Sequence, residues 1–211
     1  MRPNIRRIPP RRTRVKTVIK TVILAATLLL GGLVAAHAQD KPWAIDKMVG
    51  KADAPITIIE YSSLTCPHCA KFHKETFPKV KSDWIDTGKA KLIFRDLPWD
   101  PLAQATAMIS HCSGDRYFAF LDTFFRTQDQ WARNPQPLAA IKTIAKLGGM
   151  GEEQVDKCIA DNGLLNEINT RKDDGMKRYS IDSTPSFVIN GKLATGDMSY
   201  DEFAKLLAAA K

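Results

Sequence analysis

Thr65-Cys66-Pro67-His68-Cys69 decides the reading of this chain. It follows an apolar run, Ile56-Thr57-Ile58-Ile59-Glu60-Tyr61, that reads as a buried strand, and it precedes a helical pattern from Ala70 to about Trp84. Two cysteines at i and i+3 on the first turn of a helix can close into a small disulfide ring. The first sulfur then lies among unpaired backbone N–H groups at the positive end of the helix dipole. A thiolate favoured in that way has a lowered pKa and is the reactive form in thiol–disulfide exchange.

The residues inside the motif support redox chemistry. Pro67 suits the first helical position, where a missing N–H costs nothing. His68 can bring a positive charge or a donor to the Cys66 sulfur and so favour the reduced state. The rival readings are a closed disulfide without chemistry, or half of a zinc site. Zinc needs about four ligands. The other cysteines, Cys112 and Cys158, form no second C-x-x-C. His73, one turn past Cys69, keeps a mixed site conceivable.

The formal charge of +8 comes from one end. Arg2, Arg6, Arg7, Arg11, Arg12, Arg14, Lys16 and Lys20 precede the first acid, Asp40; without them 23 basic residues face 23 acidic ones. The high pI therefore says nothing about nucleic acid. The basic segment leads into an apolar stretch from Val22 to Ala36, the length of a signal-peptide core and short for a membrane span. Ala36-His37-Ala38 fits a cleavage site, which predicts a signal peptide over 1–38, cut after Ala38 on export. An uncleaved anchor is the alternative. Export implies an oxidising compartment. Four cysteines allow three connectivities, and the short spacing favours Cys66 with Cys69, which leaves Cys112 with Cys158 as a structural pair, with two free buried thiols or a second redox pair as the alternatives.

Further along, residues 39–55 read as a lead-in and Asp53-Ala54-Pro55 as a turn. Glu60 is either an acid on a solvated strand face or a half-buried carboxylate relaying protons to Cys69. After the strand, Phe72, Phe77, Val80 and Trp84 give the helix an inner face, Pro78 kinks it, and His73 and Lys74 fall on the wet side. Lys91 to Leu97 is a second strand, completing a right-handed βαβ unit with parallel strands.

Asp100-Pro101 opens a helical block over 100–178. Its stripe of Tyr117, Phe118, Phe120, Leu121, Phe124 and Phe125 reads as core, with a groove border as the alternative. Cys112 and Cys158 lie on helices of this block, and His111 beside Cys112 reads as incidental. Further helices are expected around Leu138–Leu147, closed by Gly148-Gly149, and over 155–160 and 164–179. Ser186 to Asn190 and Lys192 to Thr195 form a hairpin around Asn190-Gly191. Ser199-Tyr200-Asp201-Glu202 is a capping box for a last helix with Phe203, Leu206 and Leu207 inward. Thr184-Pro185 before the hairpin is either an ordinary trans turn or a cis bond that leaves backbone groups free for an extended peptide.

Cys66-Pro67-His68-Cys69 after a strand, Thr184-Pro185 before a hairpin and helices between them resemble the DsbA family of periplasmic thiol oxidoreductases, over about residues 42–211. The resemblance implies an α/β architecture, a thioredoxin fold with an inserted all-helical domain. The thioredoxin-like part would comprise 39–99 and 179–211, and the insertion 100–178. It also implies roles. Cys66 would be the nucleophile, Cys69 the buried partner and His68 the stabiliser of the Cys66 thiolate, with Pro67 inside the motif. Pro185 would be a cis-proline facing the disulfide, Thr184 would contact bound peptide, and Glu60 would match the family's buried acid. Reduced exported proteins would be substrates and a quinone-linked DsbB-type membrane oxidase the reoxidant. No metal or organic cofactor is expected, and the protein would be a monomer. Threonine before the proline looks more like isomerase relatives, so an isomerase or reductase is the enzymatic alternative. A binding module with two structural disulfides is the non-enzymatic one.

Overall fold

The computed structural model describes residues 46–210. The predicted signal segment lies outside them. The elements run β1 (Lys47–Val49), β2 (Ile56–Ser62), a long helix α1 over 67–85, β3 (Ala90–Asp96), then α2 (Pro101–Cys112), α3 (Tyr117–Arg126), α4 (Gln128–Trp131), α5 (Pro137–Leu147), α6 (Glu152–Ile159) and α7 (Asn162–Tyr179). The chain then returns through β4 (Ser186–Ile189) and β5 (Lys192–Thr195) to α8 (Tyr200–Ala209).

The strands make one mixed sheet in the order β1-β3-β2-β4-β5. Only β2 and β3 are parallel, as a strand–helix–strand crossover requires. β1 pairs antiparallel with β3, and β4 antiparallel with both β2 and β5. Strand β1 corrects the expectation of a plain lead-in. It has only three residues and lies at the sheet edge, so it carries no alternation a reader could use. The hairpin turns at Asn190 and Gly191, both at positive φ (43° and 86°), the conformation Asn-Gly tolerates best.

Helix α1 is not a uniform α-helix. Phe72–Thr76 and Lys81–Ile85 are π-turns on either side of the α segment Phe77–Val80. Pro78 has no N–H to give the preceding turn, and a widened turn absorbs the mismatch. Each π-turn advances the phase of the helix faces. His73, one turn past the buried Cys69, points inward with 3% of its surface exposed, which corrects its placement on the wet side.

Phe120, Phe124, Phe125, Trp131 and Ile141 from the helical block join Ile56, Ile58, Leu92, Phe94 and Phe187 from the sheet in one continuous core. The aromatic stripe of α3 is thus core, apart from the partly buried Phe118. On the opposite sheet face, Tyr61, Leu97, Ile181 and Val188 pack together. There Gly175 of α7 lies so near that a Cβ would stand 2.1 Å from the Tyr61 ring, which explains a glycine in mid-helix.

Cys112 and Cys158 join α2 to α6 through a disulfide. His111 is not incidental: its Nε2 lies 2.9 Å from Asp96 Oδ2, to which the Tyr117 hydroxyl also donates at 3.1 Å. The capping box at Ser199 and Glu202 is formed. Leu206 differs from expectation and is 37% exposed, while Phe203 and Leu207 face the core.

Candidate active site

β2 ends at Ser62, and the loop Ser63-Leu64-Thr65 delivers Cys66 to the N-cap of α1. Cys66 has extended backbone geometry, and Pro67 occupies the first helical position. Both are consequences of the local sequence, since proline at that place costs no hydrogen bond. Cys66 is half-buried, Cys69 is buried, and the two thiols are free.

The sulfur of Cys66 is surrounded by donors. Its pKa falls from 9.0 to about 5, first because the Cys69 thiol hydrogen-bonds to it. Burial pushes the other way, and the Thr184 side chain and the backbone N–H groups of Cys69 and His68 add to the lowering. These last two are the unpaired N–H groups of the helix start. The same surroundings act oppositely on Cys69. Burial pushes its thiol well up, and the negative charge of Cys66 and the hydrogen bond given to it push further. Ser62 and the Ser63 backbone pull it partly back. One sulfur is therefore set up as an anion and its neighbour as a proton carrier.

His68 is exposed, and its backbone N–H faces the Cys66 sulfur. Thr184-Pro185 is cis and brings the Thr184 carbonyl to 3.4 Å from the Cys66 sulfur, which donates to it as a thiol. The Pro185 carbonyl is taken by the Gly196 N–H at 2.8 Å. Glu60 is wholly buried, with Oε1 at 2.8 Å from His73 Nε2 and Oε2 unpartnered. The His73 ring stacks on Phe125 at 4.2 Å. His73 is therefore a partner of the buried acid, a position that its spacing from Cys69 had left open to a metal. Among the described residues no group of three or more His, Cys, Asp or Glu side chains is placed to hold a metal ion.

The helical block ties down the loop that carries Cys66. Gln128 of α4, buried, donates from Nε2 to the carbonyls of Leu64 (2.7 Å) and Cys66 (3.0 Å). Asp100 caps α2 through Oδ1 and receives the Thr65 hydroxyl on Oδ2 at 2.5 Å. A cleft beside Pro67 is lined by Thr65, Asp100, Leu102, Gln128 and Arg133. Sequence reading missed Gln128, because its partners lie 62 and 64 residues away and no local pattern marks it. Gln128→Leu keeps much of the volume and leaves two carbonyls without their donor. It should lower stability by about 1–3 kcal/mol in denaturant unfolding of the reduced protein, and raise the Cys66 pKa as the loop loosens.

Comparison with known proteins agrees with this geometry. A family model described as Thioredoxin matches residues 44–209. Wolbachia pipientis alpha-DsbA1 is 34% identical, with a TM-score of 0.73 over 78% of this chain and 90% of that one. A protein-disulfide isomerase from Novosphingobium aromaticivorans is 25% identical, with a TM-score of 0.68 over 78% of this chain and 96% of that one. A candidate protein-disulfide oxidoreductase of Rickettsia bellii is 30% identical over 69% of this chain and 57% of its own length. The chain spans 57–62% of the length of the first Rickettsia relatives it matches. The fold, the paired cysteines at the helix start and these likenesses together place the chain in the thioredoxin family, among its DsbA-like members.

Proposed function

We propose that this protein is a thiol:disulfide oxidoreductase that introduces disulfides into exported proteins through Cys66 and Cys69. A substrate thiolate attacks the Cys66 sulfur of the oxidised pair, forming a mixed disulfide while Cys69 leaves and is protonated. A second substrate thiolate then attacks the substrate sulfur of that bond, and Cys66 departs as a thiolate. The observation that carries this reading is the half-buried Cys66 sulfur ringed by the Cys69 thiol, the Thr184 side chain and two backbone N–H groups, with a pKa of about 5. A leaving thiolate of low pKa departs fast, and a stable reduced form makes the disulfide a strong oxidant.

In this reading Thr184 and Pro185 border the bound peptide, Glu60 serves Cys69, and the Cys112–Cys158 bond is structural. Residues 100–178 act as a helical insertion in a thioredoxin-like domain made of 39–99 and 179–211. The protein works as a monomer in the periplasm after loss of residues 1–38, and a quinone-linked DsbB-type membrane oxidase restores its disulfide. The test is recovery of activity by a reduced, unfolded secreted enzyme, which the oxidised protein should accelerate stoichiometrically. Failure to oxidise it faster than glutathione disulfide would refute the proposal.

Thr184 beside the cis-proline favours a second reading, an isomerase. An isomerase would be held reduced in cells, so mass-tagging of its free thiols separates the two: the oxidase is found oxidised.

A further inference from the structure

A polypeptide joined to Cys66 by a mixed disulfide is held by that bond against the surface around the sulfur. Thr65 and Pro67, the two chain neighbours of Cys66, both line the cleft that runs from the active-site loop to the starts of α2 and α4. The cleft measures about 290 Å³. That is the small end for ligand sites, enough for one or two side chains. The polypeptide tethered at Cys66 is therefore the molecule within reach of it.

The lining is of two kinds. Pro67, Leu102 and Ala132 supply apolar surface, and Asp100 and Asp129 supply charge. Asp100 is partly buried, its carboxylate bonded to two backbone N–H groups and the Thr65 hydroxyl. These donors are neutral, so they hold the carboxylate without cancelling its charge. Asp129 is exposed and meets Arg133, the base of the cleft, at 3.8 Å, an i, i+4 pair with both partners in solvent. Pairs of that kind contribute little and open readily. Two acids against one loosely held base leave the cleft negative. With the eight basic residues before Asp40 set aside, 23 basic residues face 23 acidic ones, so this negative character is local. Lysine and arginine have the matching build, an apolar stem with a cationic end.

We propose that this cleft selects among substrates by seating a lysine or arginine that flanks the substrate cysteine. Asp129 and Asp100 face its charge, and Pro67, Leu102 and Ala132 cover its stem. The incoming cation takes the place of Arg133 beside Asp129. A basic neighbour also lowers the pKa of the substrate thiol, so such a cysteine arrives with more of its attacking form. The cleft adds a second preference of the same sign, one that belongs to the enzyme rather than to the peptide.

This rests on the oxidoreductase reading, and the test separates the two. Three dithiol peptides are made, alike except that both cysteines are flanked by Lys, by Ser or by Glu. Each is mixed with the oxidised protein at neutral pH, quenched in acid and read by mass spectrometry: two peptide thiols become one disulfide while the Cys66–Cys69 bond becomes two thiols. Each rate is divided by that of the same peptide with hydroxyethyl disulfide, an uncharged oxidant, which removes differences in thiol pKa. The corrected rate should be about tenfold higher for the Lys peptide than for the Glu peptide, with Ser between them. Raising the salt to about 1 M, where charges are screened within about 3 Å, should shrink that ratio. Asp129 is exposed, so Asp129→Lys costs little stability. It should bring the Lys and Glu peptides level or reverse their order, and Arg133→Gln should widen their separation. Equal corrected rates in the wild type, or a preference for Lys that Asp129→Lys leaves intact, would overturn the cleft's role while leaving the enzyme standing. Oxidation of all three peptides no faster than by hydroxyethyl disulfide would overturn the activity itself, and the selection with it.

Discussion

Cys66→Ser is expected to reduce disulfide transfer to the uncatalysed background, whereas Cys69→Ser is expected to arrest it as a stable mixed disulfide with substrate. The asymmetry follows from the surroundings of the two sulfurs. Cys66 is half-buried, at the helix start, and holds its charge at neutral pH. A thiol of pKa about 8.5 is only about 3% ionised at pH 7, while one near 5 is about 99% ionised. Cys69 is buried with its pKa pushed well up by that burial, so it neither meets substrate nor ionises readily. With Cys69 replaced, Cys66 still captures a partner but has no internal thiol to release it. Gel electrophoresis without reductant reads the outcome. Adducts should appear with Cys69→Ser and be absent with Cys66→Ser, and the reverse pattern would refute the assignment of nucleophile.

The second large effect is on stability. Cys112 and Cys158 are 46 residues apart, and their bond closes the helical block on itself. Chain entropy for a loop of that length gives about 4 kcal/mol of stabilisation, an upper value because the unfolded chain without the bond retains some compactness. The Cys112→Ala/Cys158→Ala variant should therefore lose about 3–4 kcal/mol in equilibrium unfolding. Both chains are compared with Cys66 and Cys69 reduced and blocked, so that only one bond differs. A loss under about 1 kcal/mol would show that helix packing alone organises residues 101–179.

Much of this was legible in the chain. Cys66-Pro67-His68-Cys69 between a β-branched run and a helical pattern, Asn190-Gly191 in a hairpin and Ser199 with Glu202 in a capping box are all local signals. Each states its geometry within a few residues. The misreadings have a common cause in features that depend on distant partners or a shifted phase. The inner face read from Phe77, Val80 and Trp84 leaves His73 outward, whereas the structure buries it against Glu60 and Phe125. It lies four residues past the buried Cys69, so counting the face from that cysteine would have found it. β1 depends on its pairing with β3, and three edge residues give no period of their own. Gln128 looks like an ordinary polar residue until the loop of Cys66 is folded over it. His68 was read through its side chain, yet the structure leaves that side chain exposed and turns its backbone N–H to the sulfur.

The low pKa of Cys66 also couples the redox state to stability, with a definite sign. The folded thiol ionises at about 5 and its unfolded counterpart near 9.0, so folding favours the anion. The stabilisation of the reduced protein is complete above the unfolded value, shrinks as pH falls through the window between the two, and is gone below about 5. The oxidised protein has no such thiol and should show no matching dependence. The most direct measurement is the ultraviolet thiolate absorbance of the reduced protein followed against pH, with Cys66→Ser as the blank. The account predicts one transition at about 5 that vanishes in the blank. A transition near the ordinary thiol value of about 8.5 would contradict it.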